Sequence, residues 1–457
     1  MSDGASTKPT VTEQDLLDAA QRTVDRAQSL GADQAEVCVD WGQETRVDLQ
    51  KDDILNASTS DETTFGIRVF KDGAMGFACV NDAGALDLAC EEALSLARVS
   101  PADDSNGLGD AKAVDASQHA PDPAIAELGI GDLVDLGASL LDRIKKKDAR
   151  VVTDSGHLYA VVSKRALATS TGIALSDEKS LCGGSFFGMA VTPDEVGSFD
   201  YDGQVVTDSS TMKEELEAAA DRYVIKTLGA LGARQGTSFR GPIILAPEVV
   251  SDFLIGNLLS VLNGQAVRSG KSPFGESVGS EIASPTLTLV DDPHQAHGVA
   301  SRAFDREGTP TSRRAILEHG VLQTLLYDVY EARVAGAEPT GHARGGASAP
   351  PSIGPSNLVL ETGDLSFTRM CCDPDLAVVV SRFSGSCNPI TGEFSGVVKG
   401  GFLMERGAKT PIKETLIAGN LFEALKRISG VSSEKRIING TRTMPSLRVE
   451  DVSVTAG

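Results

Sequence analysis

Histidine is scarce in this chain, with six among 457 residues, which leaves few imidazoles for a metal centre. The seven cysteines (Cys38, Cys79, Cys90, Cys182, Cys371, Cys372 and Cys387) form no CxxC pair and are odd in number. That excludes a disulfide framework and a zinc-ribbon pattern, and it predicts unpaired thiols in a reducing, cytoplasmic compartment. No run of about 18 apolar residues occurs, so no membrane-spanning helix is expected. The opening "MSDGASTKPTVTEQD" lacks the basic and apolar parts of a signal peptide. A basic excess is missing as well: 42 Lys and Arg stand against 64 Asp and Glu, a formal net charge of -22. A chain this acidic is repelled by nucleic acid and by anionic membranes, so neither is an expected partner.

What is present describes a globular protein. Apolar residues make up 41% and charged residues 23%, and the length suffices for two or three domains. Residues 1–10 read as a disordered tail. Residues 11–100 read as an N-terminal α+β domain. Thr12 with Asp15 makes a capping box, the apolar residues that follow recur at helical spacing, and Gly31 ends the helix. The runs "AEVCVD", "TRVDLQ", "FGIRVF" and "GFACV" read as strands, with Asp72-Gly73 as a hairpin turn. "GALDLACEEALSLARV" closes the unit as a helix. Residues 101–128, rich in Asp, Pro, Ala and Gly, read as a linker. Residues 129–235 repeat the order helix, strands, helix as a middle α+β domain. Residues 236–457 form a C-terminal α+β domain, in which "PIILA" is a buried strand and Pro247 to Val261 a regular amphipathic helix. His319-Gly320 turns a hairpin, and "GAEPTGHARGGASAPPSIGPSN" is a long loop of the kind that often carries function. The fold class is α+β, multi-domain, with mixed and antiparallel sheets and flanking helices.

Several motifs invite a chemical reading and fall short of it. The spacing around Lys271 does not match a phosphate-binding loop. Gly275–Gly279 matches GxSxG but has neither the strand before it nor the helix after it that a nucleophile elbow needs. Asp291, Asp292, His294 and His297 have ligand chemistry, yet "DDPHQAHG" also reads as a polar turn after a strand. Cys387 has only Arg382 nearby in sequence to activate a thiolate. In "PEVVSD", Pro247 suits the first turn of a helix and Glu248 suits its positive end.

The order of "SGKSPFGESVGS", "LTLVDDP", "FDREGTPTSRRAILEHGVLQTLLYDVYEARVAG", "TGHARGG", "NPITGEFS", "GFLMERG" and "GNLFEALKRIS" resembles the TldD/PmbA family, historically called modulators of DNA gyrase. The match runs through nearly all of residues 240–457, the family core, and loosely through the two units before it. The resemblance implies a peptidase role on unfolded peptides, in proteolysis and peptide maturation. TldD-type members carry zinc on an HExxxH helix completed by a cysteine near the C-terminus. Laid on that pattern, Pro247 stands at the first His, Glu248 at the Glu and Asp252 at the second His, and "GVSSEKRIINGTRTMPSL" has no cysteine. The resemblance therefore points to the PmbA/TldE-type branch: a non-catalytic subunit with no catalytic residue, metal or cofactor of its own. It would pair with a TldD-type catalytic subunit that holds zinc, or form a homodimer. Arg344 and Asn388 are the candidate substrate contacts, and Phe304, Asp305 and Gly308 match a family motif that a structural turn would also explain. The alternatives are a self-sufficient peptidase with an atypical metal set (Asp292, His294 and His297) or a Cys387 nucleophile, and a protein-binding modulator of DNA gyrase. A helix presenting residues i and i+5 on one side must be distorted, and nothing in this sequence demands that distortion.

Overall fold

Thr12 opens the first helix, α1 (Glu13–Ser29), with the reciprocal cap its sequence predicts. The Asp15 N–H donates to the Thr12 hydroxyl, and the Thr12 N–H donates to the Asp15 carboxylate. This helix begins a computed structural model that describes residues 11–115 and 120–456. The expected tail, residues 1–10, lies outside the described residues. Strands β1 (Gln34–Gln50), β2 (Asp53–Lys71) and β3 (Ala74–Val80) follow, then α2 (Leu86–Val99). Asp72 and Gly73 join β2 to β3 with φ of 49° and 77°, the left-handed pair that a tight hairpin requires. After a short helix, α3 (Pro123–Ala126), the same order recurs: α4 (Ile130–Lys147), β4 (Val151–Thr169), β5 (Ala174–Ala190), β6 (Asp200–Val206) and α5 (Ser209–Gly229).

The two units meet through their first strands. β1 pairs with β4, and the order β3-β2-β1-β4-β5-β6 makes one antiparallel sheet to which each unit gives three strands. Their strands are longer than the apolar runs announce. "AEVCVD" and "TRVDLQ" are two ends of a single strand of 17 residues, and β2 extends well before "FGIRVF". Cross-strand hydrogen bonds on both sides of β1 carry it through its polar middle. Side chains alternate along β1. Val37, Val39, Val47 and Leu49 face the helices, whereas Glu36, Cys38 and Asp40 face the C-terminal domain. The segment 101–128 carries α3 and is tied to the C-terminal domain where the Tyr330 hydroxyl donates to Asp103.

In the C-terminal domain, hydrogen-bonded pairs close a ring of five strands. Arg442–Ala456 pairs with Phe239–Leu245, that strand with Leu376–Cys387, and that one with Glu393–Glu405. Thr415–Asn420 then pairs with both Glu393–Glu405 and Arg442–Ala456. A closed ring leaves no open edge within itself, which makes this part a small barrel. Ile243, Leu245, Val378 and Val380 join the main core cluster, while Ile244 and Val379 point the other way into a second one with Met370 and Met404.

The sheet and this domain are joined by charge. Glu36 binds Arg68 at 2.6 Å and Arg306 at 2.9 Å, and Arg68 binds Glu307 at 2.9 Å. All four side chains are buried. The long Gly/Pro loop lies flush on β2: a Cβ at Gly66 would stand 2.1 Å from the Ala347 carbonyl oxygen, so only glycine allows the contact.

Candidate functional site

The "PEVVSD" helix is not the regular helix its sequence suggests. Pro247–Val249 is α-helical, Val250–Ile255 is a π-turn, and Gly256–Val261 returns to α-helix. The i→i+5 hydrogen bonding of a π-turn brings residues five apart toward one side, and such turns concentrate at functional sites. The expectation of an undistorted helix is thus corrected. No Pro or Gly lies inside residues 250–255 to announce the change.

The motif positions are occupied by ion pairs. Pro247 offers no donor atom. The Glu248 carboxylate is held between Lys226 of α5, at 2.6 Å, and Arg436 of strand Ile428–Ile438. Asp202 of β6 binds the same two cations, at 2.7 Å and 2.6 Å, and Arg222 at 3.1 Å. Burial alone would raise the Asp202 pKa; the charges of Lys226, Arg436 and Arg222 outweigh it and hold the group below its ordinary value. Burial likewise disfavours the Lys226 ammonium, but Glu248 and Asp202 reverse the sign and raise its pKa. Asp252 faces Arg442, at 3.4 Å. Arg436 and Arg442 both come from the C-terminal stretch where a cysteine ligand was absent.

This donor set does not fit zinc, which takes four ligands, mostly nitrogen and sulfur, free of competing cations. Here one position is a proline, and both carboxylates already face guanidinium or ammonium groups. Among the described residues no group of three or more His, Cys, Asp or Glu is placed to hold a metal ion.

Beside Pro247 and Glu248 opens a cavity of about 870 Å³. Its floor comes from the end of α5 and from strands of the barrel, and its lining is predominantly apolar, including Ile225, Val398, Phe402, Met404 and Ile412. Lys226 and Arg436 form its charged end next to the motif. A cavity of this size, apolar with a few fixed polar groups, suits an extended chain of a few residues.

The other sequence candidates are dispersed. Arg344 pairs in a two-residue strand with Ser352–Ile353 inside the long loop, and partial burial followed by the like charge of Arg442 lowers its pKa. The Asn388 side chain accepts from the Ile390 N–H at 2.9 Å, which closes a turn. His294 lies near the Thr311 hydroxyl at 3.3 Å, His297 near Asp208 at 3.7 Å, and Asp292 near Arg313 at 3.7 Å; the two histidines line one cavity, but among the described residues they form with Asp292 no group that could hold a metal ion. The Cys387 thiol contacts the Gly392 carbonyl at 3.9 Å, and burial pushes its pKa up, away from a thiolate. Asp305 accepts the backbone N–H groups of Glu307, Thr309 and Ala343, so it closes a turn locally and ties that turn to the long Gly/Pro loop. Lys226, Asp202, Arg436 and Arg442 escaped sequence reasoning because they come from distant segments. The signal for two of them was present: paired arginines in "SSEKRIINGTRT", where a ligand was sought.

Comparisons with known proteins agree with this architecture. The family model described as the PmbA/TldA metallopeptidase C-terminal domain matches residues 238–456, and that for domain 1 of the same group matches residues 35–97. Over 454 residues the chain is 27% identical to a protein of Escherichia coli O157:H7 named metalloprotease PmbA, covering 95% of this chain and 96% of that one. Over 228 residues it is 31% identical to a metalloprotease of Methanothermobacter thermautotrophicus, covering 49% of this chain and 50% of the other. The solved structure of TldE from Thermococcus kodakarensis superimposes with a TM-score of 0.87 at 24% identity, covering 96% of this chain and 100% of that one, a likeness of fold.

Proposed function

Because this chain belongs to the PmbA/TldD metallopeptidase family, we propose that it is a PmbA/TldE-type subunit without peptidase chemistry of its own. It works beside a TldD-type subunit that holds zinc and cleaves unfolded peptides. The observation that carries the reading is the fate of Glu248. In a zinc peptidase the helix glutamate is a general base and must be free to take a proton from water. Here Lys226 and Arg436 both bind one oxygen of its carboxylate, which commits the group to an ion pair where a base would have to be free. The neighbouring cavity supports a role in holding peptide.

The test is reconstitution. Cleavage of an unfolded peptide is measured with this chain alone, with a TldD-type partner alone, and with both together. Activity is expected only when the partner is present, and higher with both. Equal rates with and without this chain would sink the proposal, and cleavage by this chain alone would reverse it.

A further inference from the structure

The cavity beside Pro247 carries more information than its size. Three of its lining residues, Lys399, Lys409 and Lys413, are exposed, and no salt bridge engages them among the described residues. Lys399 belongs to strand Glu393–Glu405, and the other two to Ala408–Lys413. The Lys409 ammonium stands 3.6 Å from the centre of the Phe402 ring, so its charge sits at the apolar floor itself. Opposing carboxylates are few. Of the four that line it, Glu248 is paired with Lys226 and Arg436, and Asp200 sits 3.8 Å from Arg382, which leaves Glu195 and Glu414 against the three lysines. The free charge around this cavity is therefore net positive, in a chain whose formal net charge is -22. Local charge opposite in sign to the whole molecule is what electrostatic selection of a ligand requires.

We infer that the cavity selects peptide segments in which a large apolar side chain is flanked by Asp or Glu. The apolar side chain lies on Phe402, Met404 and Ile412, and the flanking carboxylates meet the three lysines. This rests on the reading that the chain holds peptide, and it adds which peptide. Sequences flanked by Lys or Arg are disfavoured by the same charges.

Cys372 lines the cavity and is exposed, whereas its neighbour Cys371 is buried, so alkylation of Cys372 reports occupancy. The experiment uses the full chain and three ten-residue peptides: Leu and Phe flanked by Glu, the same apolar pair flanked by Lys, and the Glu peptide with Ser replacing the apolar pair. Affinity is read by fluorescence anisotropy of labelled peptide, and occupancy by the rate of Cys372 alkylation. The expected result is binding of the Glu peptide about ten-fold or more tighter than either control, with slower Cys372 alkylation and a preference that weakens with salt. Lys399→Ser, Lys409→Ser and Lys413→Ser together should remove the preference for Glu over Lys and retain binding through the apolar pair. Equal binding of the Glu and Lys peptides, or a preference that survives the triple variant, overturns the inference and leaves the peptide-holding role standing. Failure of every peptide to bind or to protect Cys372 overturns both.

Discussion

Two clusters of charge tie the six-stranded sheet to the C-terminal domain, and they are built to different ends. In the first, Glu36, Arg68, Arg306 and Glu307 form a chain of alternating sign, and every member is at most 7% exposed. In the second, Glu248, Lys226 and Arg436 are each 19–21% exposed around a buried Asp202, and the cluster opens on the cavity. The sealed cluster has two acids for two bases, and its end members Arg306 and Glu307 have one ion-pair partner each. The open one is redundant, because Asp202 has three cations and Glu248 two. A sealed, non-redundant network sets how two parts of a fold dock; an open, redundant one tolerates change beside a ligand cavity.

The largest effect expected from this contrast is in the sealed cluster. Glu36→Gln leaves Arg306 without its carboxylate and Arg68 with one partner in place of two. Removing one member of a buried ion network costs about 3–5 kcal/mol, so the urea midpoint should fall steeply. A loss under about 1 kcal/mol would show that water reaches this interface and would erase the distinction between the clusters.

Acid gives the next effect. Burial works to raise the Glu36 pKa, but the charges of Arg68 and Arg306 prevail and lower it, and Asp202 is lowered in the same manner. A carboxylate with a depressed folded-state pKa contributes stability above its unfolded value, about 4, and loses it as pH falls through the folded value. The stability gap between wild type and Glu36→Gln should be full at pH 7 and shrink below about pH 4. A gap that stayed constant to pH 2 would show that the Glu36 charge is not what stabilises the interface.

Glu248→Gln should matter less. The neutral amide still accepts a hydrogen bond, and Asp202 continues to satisfy Lys226 and Arg436, so the expected loss is about 1 kcal/mol. If this variant destabilised the chain as much as Glu36→Gln, the second cluster would have to be read as a structural lock too.

The same contrast explains what the sequence disclosed. The Thr12 cap, the Asp72-Gly73 turn and the repeated helix–strands–helix order are local, and each was legible. The closed barrel was not, because it pairs Phe239 with Val454, a contact that no local pattern encodes. The polar stretch Asp53–Thr64 hid the length of β2, since mostly exposed strand residues show no burial alternation. At the candidate site, the residues standing at the two His positions of the family pattern, Pro247 and Asp252, were legible, as was the retained Glu248. The cations that occupy their surroundings were not, because Lys226 lies on α5 and Arg436 and Arg442 on the last two strands.

The smallest expected effect is the most pointed. Pro247→His with Asp252→His rewrites the helix as HExxxH, and the π-turn over Val250–Ile255 supplies the distortion such a helix needs. If identity of the motif residues were all that mattered, this double variant would take up zinc. It should not. Lys226 and Arg436 would still hold Glu248, Arg442 would stand beside the new imidazole at position 252, and the described residues hold no ready metal-ligand group there to complete a site. Metal analysis of the purified double variant should find zinc well below one equivalent, with thermal stability unchanged by added zinc. Stoichiometric uptake would show that the surrounding cations yield readily, and that only two side chains separate this helix from a metal site.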